Sequence, residues 1–489
     1  MARVAVVGGG IGGLAAALFL GRRGHTVTVW ERDGRRPGTD LDQDFFAWRR
    51  PGVPQAIQPH GLLAPVRRIL RAEAPDVYEA MLRLGARERH EFEWFAERPP
   101  ARPGDEDLVT VQTRRIVLEA ALHDAVRREP SVEVLLGEAV TGLLVDQHGN
   151  IPQVTGVRSA AGAHPADLVL DAGGRRSPVT GWLAEAGCRS AVVENHHIGI
   201  AYFCRWYRLR ADGPRPPGRV RTGSMSAFAV GGVFPSDNGT FAVALTVSTT
   251  DPTRGALRDP AVFEAAARCF PAAAAWLALD HGPISDVHAM AGLDNRWTAL
   301  VDDTGPVVNG LVGVGDSVTH TNPTLGQGTA LALQAGQWVA HHLDAAPADP
   351  AAVTEDHHRW SLRALRPWFD AQVAVDRANA TRLSAGEPPG PPAAIARERA
   401  ALAACAFDDP VVMRARALVR HLVLPAEQAY GTEEVRTRVA RRLGDHPDFT
   451  PTFDGPDRGE WEAVTDRGGP PSPAHLSWEH PAAEDPALE

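Results

Sequence analysis

An apolar run from Arg3 to Val7 leads directly into Gly8-Gly9-Gly10-Ile11-Gly12-Gly13, and the helical stretch Leu14 to Arg23 follows. Gly24 ends that helix, and a second strand pattern, His25 to Trp30, closes on Glu31. Strand, glycine turn, helix and strand in this order make a βαβ unit with Gly-x-Gly-x-x-Gly at Gly8, Gly10 and Gly13. Each glycine has a mechanical reason: Gly8 allows the tight turn, Gly10 lets a pyrophosphate approach the backbone, and Gly13 lets the helix pack closely on the strand. The helix N-terminus presents unpaired N–H groups and a positive dipole end to phosphates. Glu31, about 20 residues on, is placed to accept hydrogen bonds from an adenosine ribose. The chain therefore opens as a Rossmann-type α/β dinucleotide domain, but this unit alone does not separate NAD from FAD.

Two distant segments supply the discrimination. Asp167 to Leu170 is an apolar strand leading to Asp171-Ala172-Gly173-Gly174-Arg175-Arg176-Ser177. Leu311 to Val314 is another, leading to Gly315-Asp316 and then to Asn322-Pro323-Thr324-Leu325-Gly326-Gln327-Gly328 ahead of a helical run from Thr329 to Leu343. A carboxylate that closes a strand, followed by a proline and two glycines at a helix start with unpaired amides, suits a flavin. Asp316 is placed for ribityl hydroxyls, and the Gly326 to Gly328 backbone offers N–H groups to an electron-rich ring.

With these motifs in this order, residues 1 to about 345 resemble the single-component aromatic hydroxylases, the para-hydroxybenzoate hydroxylase-like FAD monooxygenases. Gly52-Val53-Pro54-Gln55 with His60-Gly61-Leu62-Leu63, and the Arg205-Trp206-Tyr207-Arg208 run, look most like the actinobacterial branch of tailoring epoxidases and hydroxylases. The resemblance implies that Arg115, with Leu118 and Leu122 on the same helix, braces the cofactor. It implies a flavin contact for Arg50 in the Arg49-Arg50 pair, whose other reading is an exposed charge pair, and a place for Asp171 in the cofactor site. His320 stands one position beyond the histidine of the commoner motif, so no role is carried over to it.

Composition narrows the partners. The 489 residues suggest about three domains, and 44% hydrophobic content is ample for a core. Fifty basic against 60 acidic residues leave a net charge of −10, which disfavours nucleic acid or an anionic membrane and favours a small molecule. Every basic residue besides histidine is arginine; a chain without lysine has no Schiff-base residue and not the lysine that a flavin halogenase uses. Cys188, Cys204, Cys269 and Cys405 form no C-x-x-C pair, as expected for free thiols in a reducing compartment. With neither a signal-peptide pattern nor an apolar run long enough to span a bilayer, a cytoplasmic protein is expected.

The expected architecture is α/β. A discontinuous Rossmann-type FAD-binding domain occupies 1–75, 110–185 and 300–345. An antiparallel-sheet substrate domain comprises 76–109 and 186–299, with strands at Ile198 to Tyr207, Ser226 to Phe234 and Thr240 to Val247. A C-terminal helical region spans 346–467, with helices from Val353 to Ala385, Pro392 to Phe407, Pro410 to Leu424 and Glu433 to Leu443, and a disordered tail follows at 468–489. Of the sheet aromatics Tyr202, Phe203, Trp206, Tyr207, Phe228, Phe234 and Phe241, about a third are expected to line a cavity, because neighbours on a strand face opposite sides.

No catalytic side chain is evident. Glu355-x-x-His358 has the spacing of helical di-iron bundles but lacks a second helix, and Glu194-x-x-His197 falls on a strand, where i and i+3 face opposite sides. Neither motif is read as a metal site. Ser317 lacks the second glycine of a nucleophile elbow. The cofactor is left as the reagent: flavin reduced by NAD(P)H or by a partner flavin reductase takes up O2 to a C4a-hydroperoxide, which hydroxylates or epoxidises a small substrate in secondary metabolism. Pro323, Gly326, Gln327 and Gly328 are the expected ring contacts. A geranylgeranyl-reductase-type ene-reductase and a non-catalytic dinucleotide-binding module are the alternatives.

Overall fold

The computed structural model describes residues 1–50, 52–210, 222–345, 349–385, 394–449 and 453–466. The expected turn at 213–218, the Pro388–Pro392 break and the tail at 468–489 lie outside the described residues.

Arg3–Val7 forms the centre of a five-stranded parallel sheet, in the order Leu311–Gly313, Leu168–Asp171, Arg3–Val7, Thr26–Glu31 and Val132–Leu136. Three chain segments more than a hundred residues apart thus meet at one sheet, which makes this domain discontinuous. The helix Ile11–Gly21 carries almost no polar side chain because it is covered on both sides, by the sheet and by the helix Gly328–Ala345. Leu14 to Leu20 are fully buried. The two helices touch so closely that a Cβ on Gly336 would lie 3.2 Å from Ala16 Cβ.

A second sheet lies beyond it, antiparallel in the order Gly223–Met225, Ala229–Pro235, Thr240–Ser248, Ile200–Leu209 and His281–Pro283, with His288–Met290 also paired to Ile200–Leu209. Its outer face packs on the helices Pro260–Arg268 and Pro271–Leu277 around Phe241, Phe263, Phe270 and Trp276. Of the seven aromatics considered above, only Phe234 lines the large cavity described below; the other six are buried, because the packed face of the sheet takes up most of its rings. A smaller sheet, Gly61–Leu62, Val109–Gln112 and Arg87–His90, faces it.

Several boundaries differ from the expectation for identifiable reasons. The expected helix from Val353 to Ala385 is two, Pro350–Ala364 and Arg366–Ala385. Pro367, which has no N–H and clashes with the preceding turn, starts a new helix instead of continuing the old one. Pro410–Arg420 stops before Leu424, where Leu422 takes φ = 56°. Pro75–Arg83 packs with the nucleotide domain, since Val77, Tyr78 and Met81 share its core. The helix Arg458–Thr465 leaves the C-terminal region and buries Trp461 in the core of the antiparallel sheet.

Candidate active site

At the carboxyl ends of the parallel strands, where ligands bind in open α/β sheets, a cavity of about 1340 Å3 runs from the glycine turn to the two facing sheets. The turn residues divide their labour as their spacing implies. Gly8 has φ = 106°, and a Cβ there would meet Ala172 O at 2.5 Å; a Cβ on Gly13 would meet Gly8 O at 2.0 Å. Gly10 differs: a Cβ there would meet nothing within 4 Å, so the space beside this backbone is open cavity. Glu31 accepts from Gly9 N–H at 2.7 Å and Asp33 N–H at 2.8 Å, which fixes its carboxylate at the cavity wall. The cradle fits a pyrophosphate and a ribose.

Next along the wall, Arg50 and Arg115 clasp one buried carboxylate. Arg115 Nε donates to Glu119 Oε1 at 2.9 Å and Arg50 Nη1 donates to the same oxygen, while the Arg50 guanidinium lies 4.2 Å from the centroid of the Trp48 ring. Burial opposes ionisation of Glu119, but the two arginines outweigh it and hold its pKa below the ordinary range. Both arginines line the cavity, so Arg50 is not an exposed charge pair with Arg49. His60, on the same wall, is lowered to about 4 by burial and by Arg115, and is neutral at pH 7.

Gly315 and Asp316 also line the cavity. Asp316 Oδ2 meets His320 Nδ1 at 3.1 Å; burial would raise its pKa, yet His320, Arg115 and Arg175 together lower it. His320, given no role from the sequence, is therefore the partner that orients Asp316, and its Nε2 is buried without a hydrogen-bond partner among the described residues. Asp171 is placed differently from the expectation. Its carboxylate accepts from Gly173 N–H at 2.9 Å and Ser177 Oγ–H at 2.8 Å and does not line the large cavity; burial raises its pKa to about 6. It shapes the Asp171–Ser177 turn.

Pro323–Leu325 forms one 3-10 turn, Gly326 follows in the left-handed region at φ = 69°, and Gly328 opens an 18-residue helix. Pro323, Gly326, Gln327 and Gly328 all line the cavity, and Gln327 Oε1 is buried without a hydrogen-bond partner among the described residues. Unpaired amides of a helix start, an orphaned amide oxygen and open space together fit one edge of a flavin ring. This loop is held from behind by a buried polar network. Tyr202 O–H donates to Asn322 Oδ1 at 2.6 Å, Asn322 Nδ2 donates to Asp376 Oδ1 at 2.7 Å, and Asn295 Nδ2 donates to Asp376 Oδ2 at 2.7 Å. Asn295 Oδ1 also accepts the Asn322 N–H at 2.7 Å, and Gln372 Nε2 donates to Asp376 at 3.0 Å. The network draws on four separate chain segments, so nothing local in the sequence announces it; the Arg115 to Glu119 spacing of one helical turn, in contrast, was a readable signal for the ion pair.

Glu194 is held by Arg366 at 2.6 and 3.0 Å on the strand Val192–His197, and His358 lies on the helix Pro350–Ala364. Among the described residues no group of three or more His, Cys, Asp or Glu is placed to hold a metal ion, and no helix is long and apolar enough to cross a membrane.

Residues 6–65 match the family described as the NAD(P)-binding Rossmann-like domain. Among solved structures, the chain is similar to PqsL, a probable FAD-dependent monooxygenase from Pseudomonas aeruginosa, with a TM-score of 0.58 and 20% identity over 78% of this chain and 98% of that one. It is also similar to the flavin-dependent brominase Bmp2, with a TM-score of 0.55 and 14% identity over 91% and 98%. Among curated proteins, Rv3254 of Mycobacterium tuberculosis is 30% identical over 355 residues, which cover 68% of this chain and 71% of the relative. The fold is that of the para-hydroxybenzoate hydroxylase-like FAD monooxygenases, as the motifs imply, and the chain belongs to the family of Rv3254.

Proposed function

We propose that the protein is a FAD-dependent monooxygenase that inserts one oxygen atom from O2 into a small organic substrate, by hydroxylation or epoxidation, in secondary metabolism. One observation carries this reading: the Gly8–Gly13 cradle and the Pro323–Gly328 loop open into one cavity of about 1340 Å3. That exceeds the roughly 300–1,000 Å3 of an ordinary small-molecule pocket and leaves room for a cofactor and a substrate together.

In this reading Gly8, Gly10, Gly13 and Glu31 bind the ADP half, Arg50 and Arg115 brace the middle, and Gly315 and Asp316 bind the ribityl chain. When bound and reduced, the flavin supplies the two electrons with which O2 gives one atom to the substrate and the other, with two protons, to water. NAD(P)H or a partner flavin reductase is the electron source. Gln327 and Gly328 offer backbone donors and the positive end of a helix dipole to negative charge at the ring, Gly326, whose own N–H closes the turn on Pro323 O at 2.9 Å, leaves room beside them, and Pro323 stiffens the approach. Neutral His60 adds no charge to this wall at pH 7. The likeness of fold to a brominase does not favour halogenation here, since the chain has no lysine. The four free thiols suit a reducing cytoplasm.

The deciding experiment is turnover of the FAD-loaded protein under 18O2 with reductant and a panel of candidate substrates, read by accurate mass. Incorporation of one 18O per product supports the proposal. Reduction of an alkene without oxygen uptake would replace it with the ene-reductase reading, and bound FAD without any turnover would leave a dinucleotide-binding module.

A further inference from the structure

The cavity extends beyond the Pro323–Gly328 loop into a lobe that the cofactor motifs do not account for. One wall of this lobe is the small sheet. Thr110 and Gln112 alternate onto the same face of Val109–Gln112, Gln112 pairs with Gly61, and Thr110 pairs with Arg89. Gly61 is the ring-side end of this row, since its carbonyl oxygen lies 3.5 Å from where a Cβ on Gly326 would stand. Arg89 is the far end. Two strand spacings and two residues of rise put its Cα roughly 12 Å from Gly61. Its neighbour Glu88 turns to the opposite face, where it accepts from Arg67 Nε at 2.6 Å, so Arg89 points into the cavity.

The other wall comes from the C-terminal helices. Trp94 Nε1 donates to Phe407 O at 2.7 Å with the two rings 5.1 Å apart, the Arg416 guanidinium lies 5.0 Å from the centroid of the Phe407 ring, and Met413 and Tyr430 complete the wall. The charges in this lobe are unequal. Glu91 is taken by Arg420 and His421, each at 3.0 Å. Arg89 has no hydrogen-bond or ion-pair partner for its side chain among the described residues. A guanidinium facing an aromatic chamber without a carboxylate of its own is a receptor for a planar anion.

We propose that Arg89 is the specificity residue of the substrate chamber and that the substrate is an aromatic or extended apolar molecule bearing a carboxylate, its reacting end at the Gly326 loop and its carboxylate at Arg89. The proposal rests on the flavin reading only for which end of the cavity is left to the substrate. Its test is calorimetric titration of the full chain in saturating FAD with 1-naphthoate and with its neutral counterpart 1-naphthalenemethanol. Wild type is expected to bind the naphthoate about tenfold or more tightly than the alcohol, the gain typical of a charge-assisted pair. Arg89→Gln should bring naphthoate down to the affinity of the alcohol while leaving alcohol and FAD binding unchanged, and Arg89→Lys, which keeps charge but loses the fork, should fall between. Absence of naphthoate binding, equal affinities in wild type, a preference that survives Arg89→Gln, or loss of FAD binding in that variant would overturn the assignment. A wild type that prefers naphthoate but binds no FAD would remove the flavin reading and leave the anion site standing.

Discussion

Arg114 and Asp237, 123 residues apart, form an ion pair that is almost wholly buried. The Arg114 backbone N–H donates to Asp237 Oδ1 at 2.7 Å, and its Nε lies 3.0 Å from Oδ2. Arg114 precedes the helix Arg115–Arg128, which carries the cavity-lining Arg115, and Asp237 stands in the turn between the strands Ala229–Pro235 and Thr240–Ser248. One side-chain pair thus fixes the antiparallel sheet to the nucleotide domain. Asp237→Ala leaves the buried Arg114 with only the half-exposed Asp42, 2.7 Å from its Nη2, so the variant should lose about 3 kcal/mol of stability, the low end of the cost of breaking a buried pair. The check is denaturant unfolding of variant and wild type at equal slope.

Gly10 and Gly13 lie three residues apart and should respond in opposite ways. A Cβ on Gly10 enters open cavity. Gly10→Val should leave the unfolding midpoint of the apoprotein near wild type and weaken FAD binding by at least about tenfold, as followed by flavin fluorescence. A Cβ on Gly13 strikes Gly8 O at 2.0 Å. Gly13→Ala should therefore lose stability before any ligand is added, by about 1–3 kcal/mol.

For Asp316, held by His320 at 3.1 Å, substitution to alanine should lower FAD affinity by about 1.5–3 kcal/mol, the value of a hydrogen bond to a charged group, with little change in the fold. If Asp316→Ala binds FAD as tightly as wild type, the carboxylate does not serve the ribityl chain.

Gly326 holds φ = 69°, and alanine in that region costs about 1–2 kcal/mol. Gly326→Ala should retain FAD yet uncouple the reaction, so that hydrogen peroxide released per O2 consumed rises while oxygenated product falls. Parallel oxygen-electrode and peroxide assays measure the ratio.

His357 supplies a pH dependence. Burial, then the neighbouring His358 and His342, lower its pKa to about 3, and its Nε2 is buried without a partner among the described residues. The folded state holds it neutral while the unfolded chain binds a proton below about 6.5. Its contribution to stability is therefore intact above pH 6.5 and is lost as the pH falls toward 3, at about 1.4 kcal/mol per unit. His357→Gln should flatten the fall in unfolding midpoint between pH 6.5 and 5 relative to wild type.

What the letters disclosed follows from the range of the forces involved. The need for glycine at Gly13 was readable because it depends on Gly8 O five residues away, and the turn at Gly8 was readable from its spacing, although the backbone that crowds it, Ala172 O, comes from a strand end 164 residues on. Asp171 has the right residue type in the right turn, but only the fold shows that its carboxylate turns inward to Gly173 and Ser177. The grip of Arg50 on Glu119 joins residues 69 positions apart, and Trp461 packs into the core of a sheet whose strands end at least 171 residues earlier. Such pairings leave no periodicity in the chain. Arg89 reads as an ordinary strand arginine until its register with Thr110 and the far wall of helices give it a direction.

The tie between Asn322 and Asp376 has a consequence for the order in which the protein becomes competent. The glycine cradle draws on residues made first, whereas the loop at Pro323–Gly328 is held by a carboxylate on the helix Arg366–Ala385. On a ribosome, the glycine cradle can take shape before the Pro323–Gly328 loop has its anchor. A chain cut short within that helix before Asp376 would keep the glycine cradle but lose the grip on the loop.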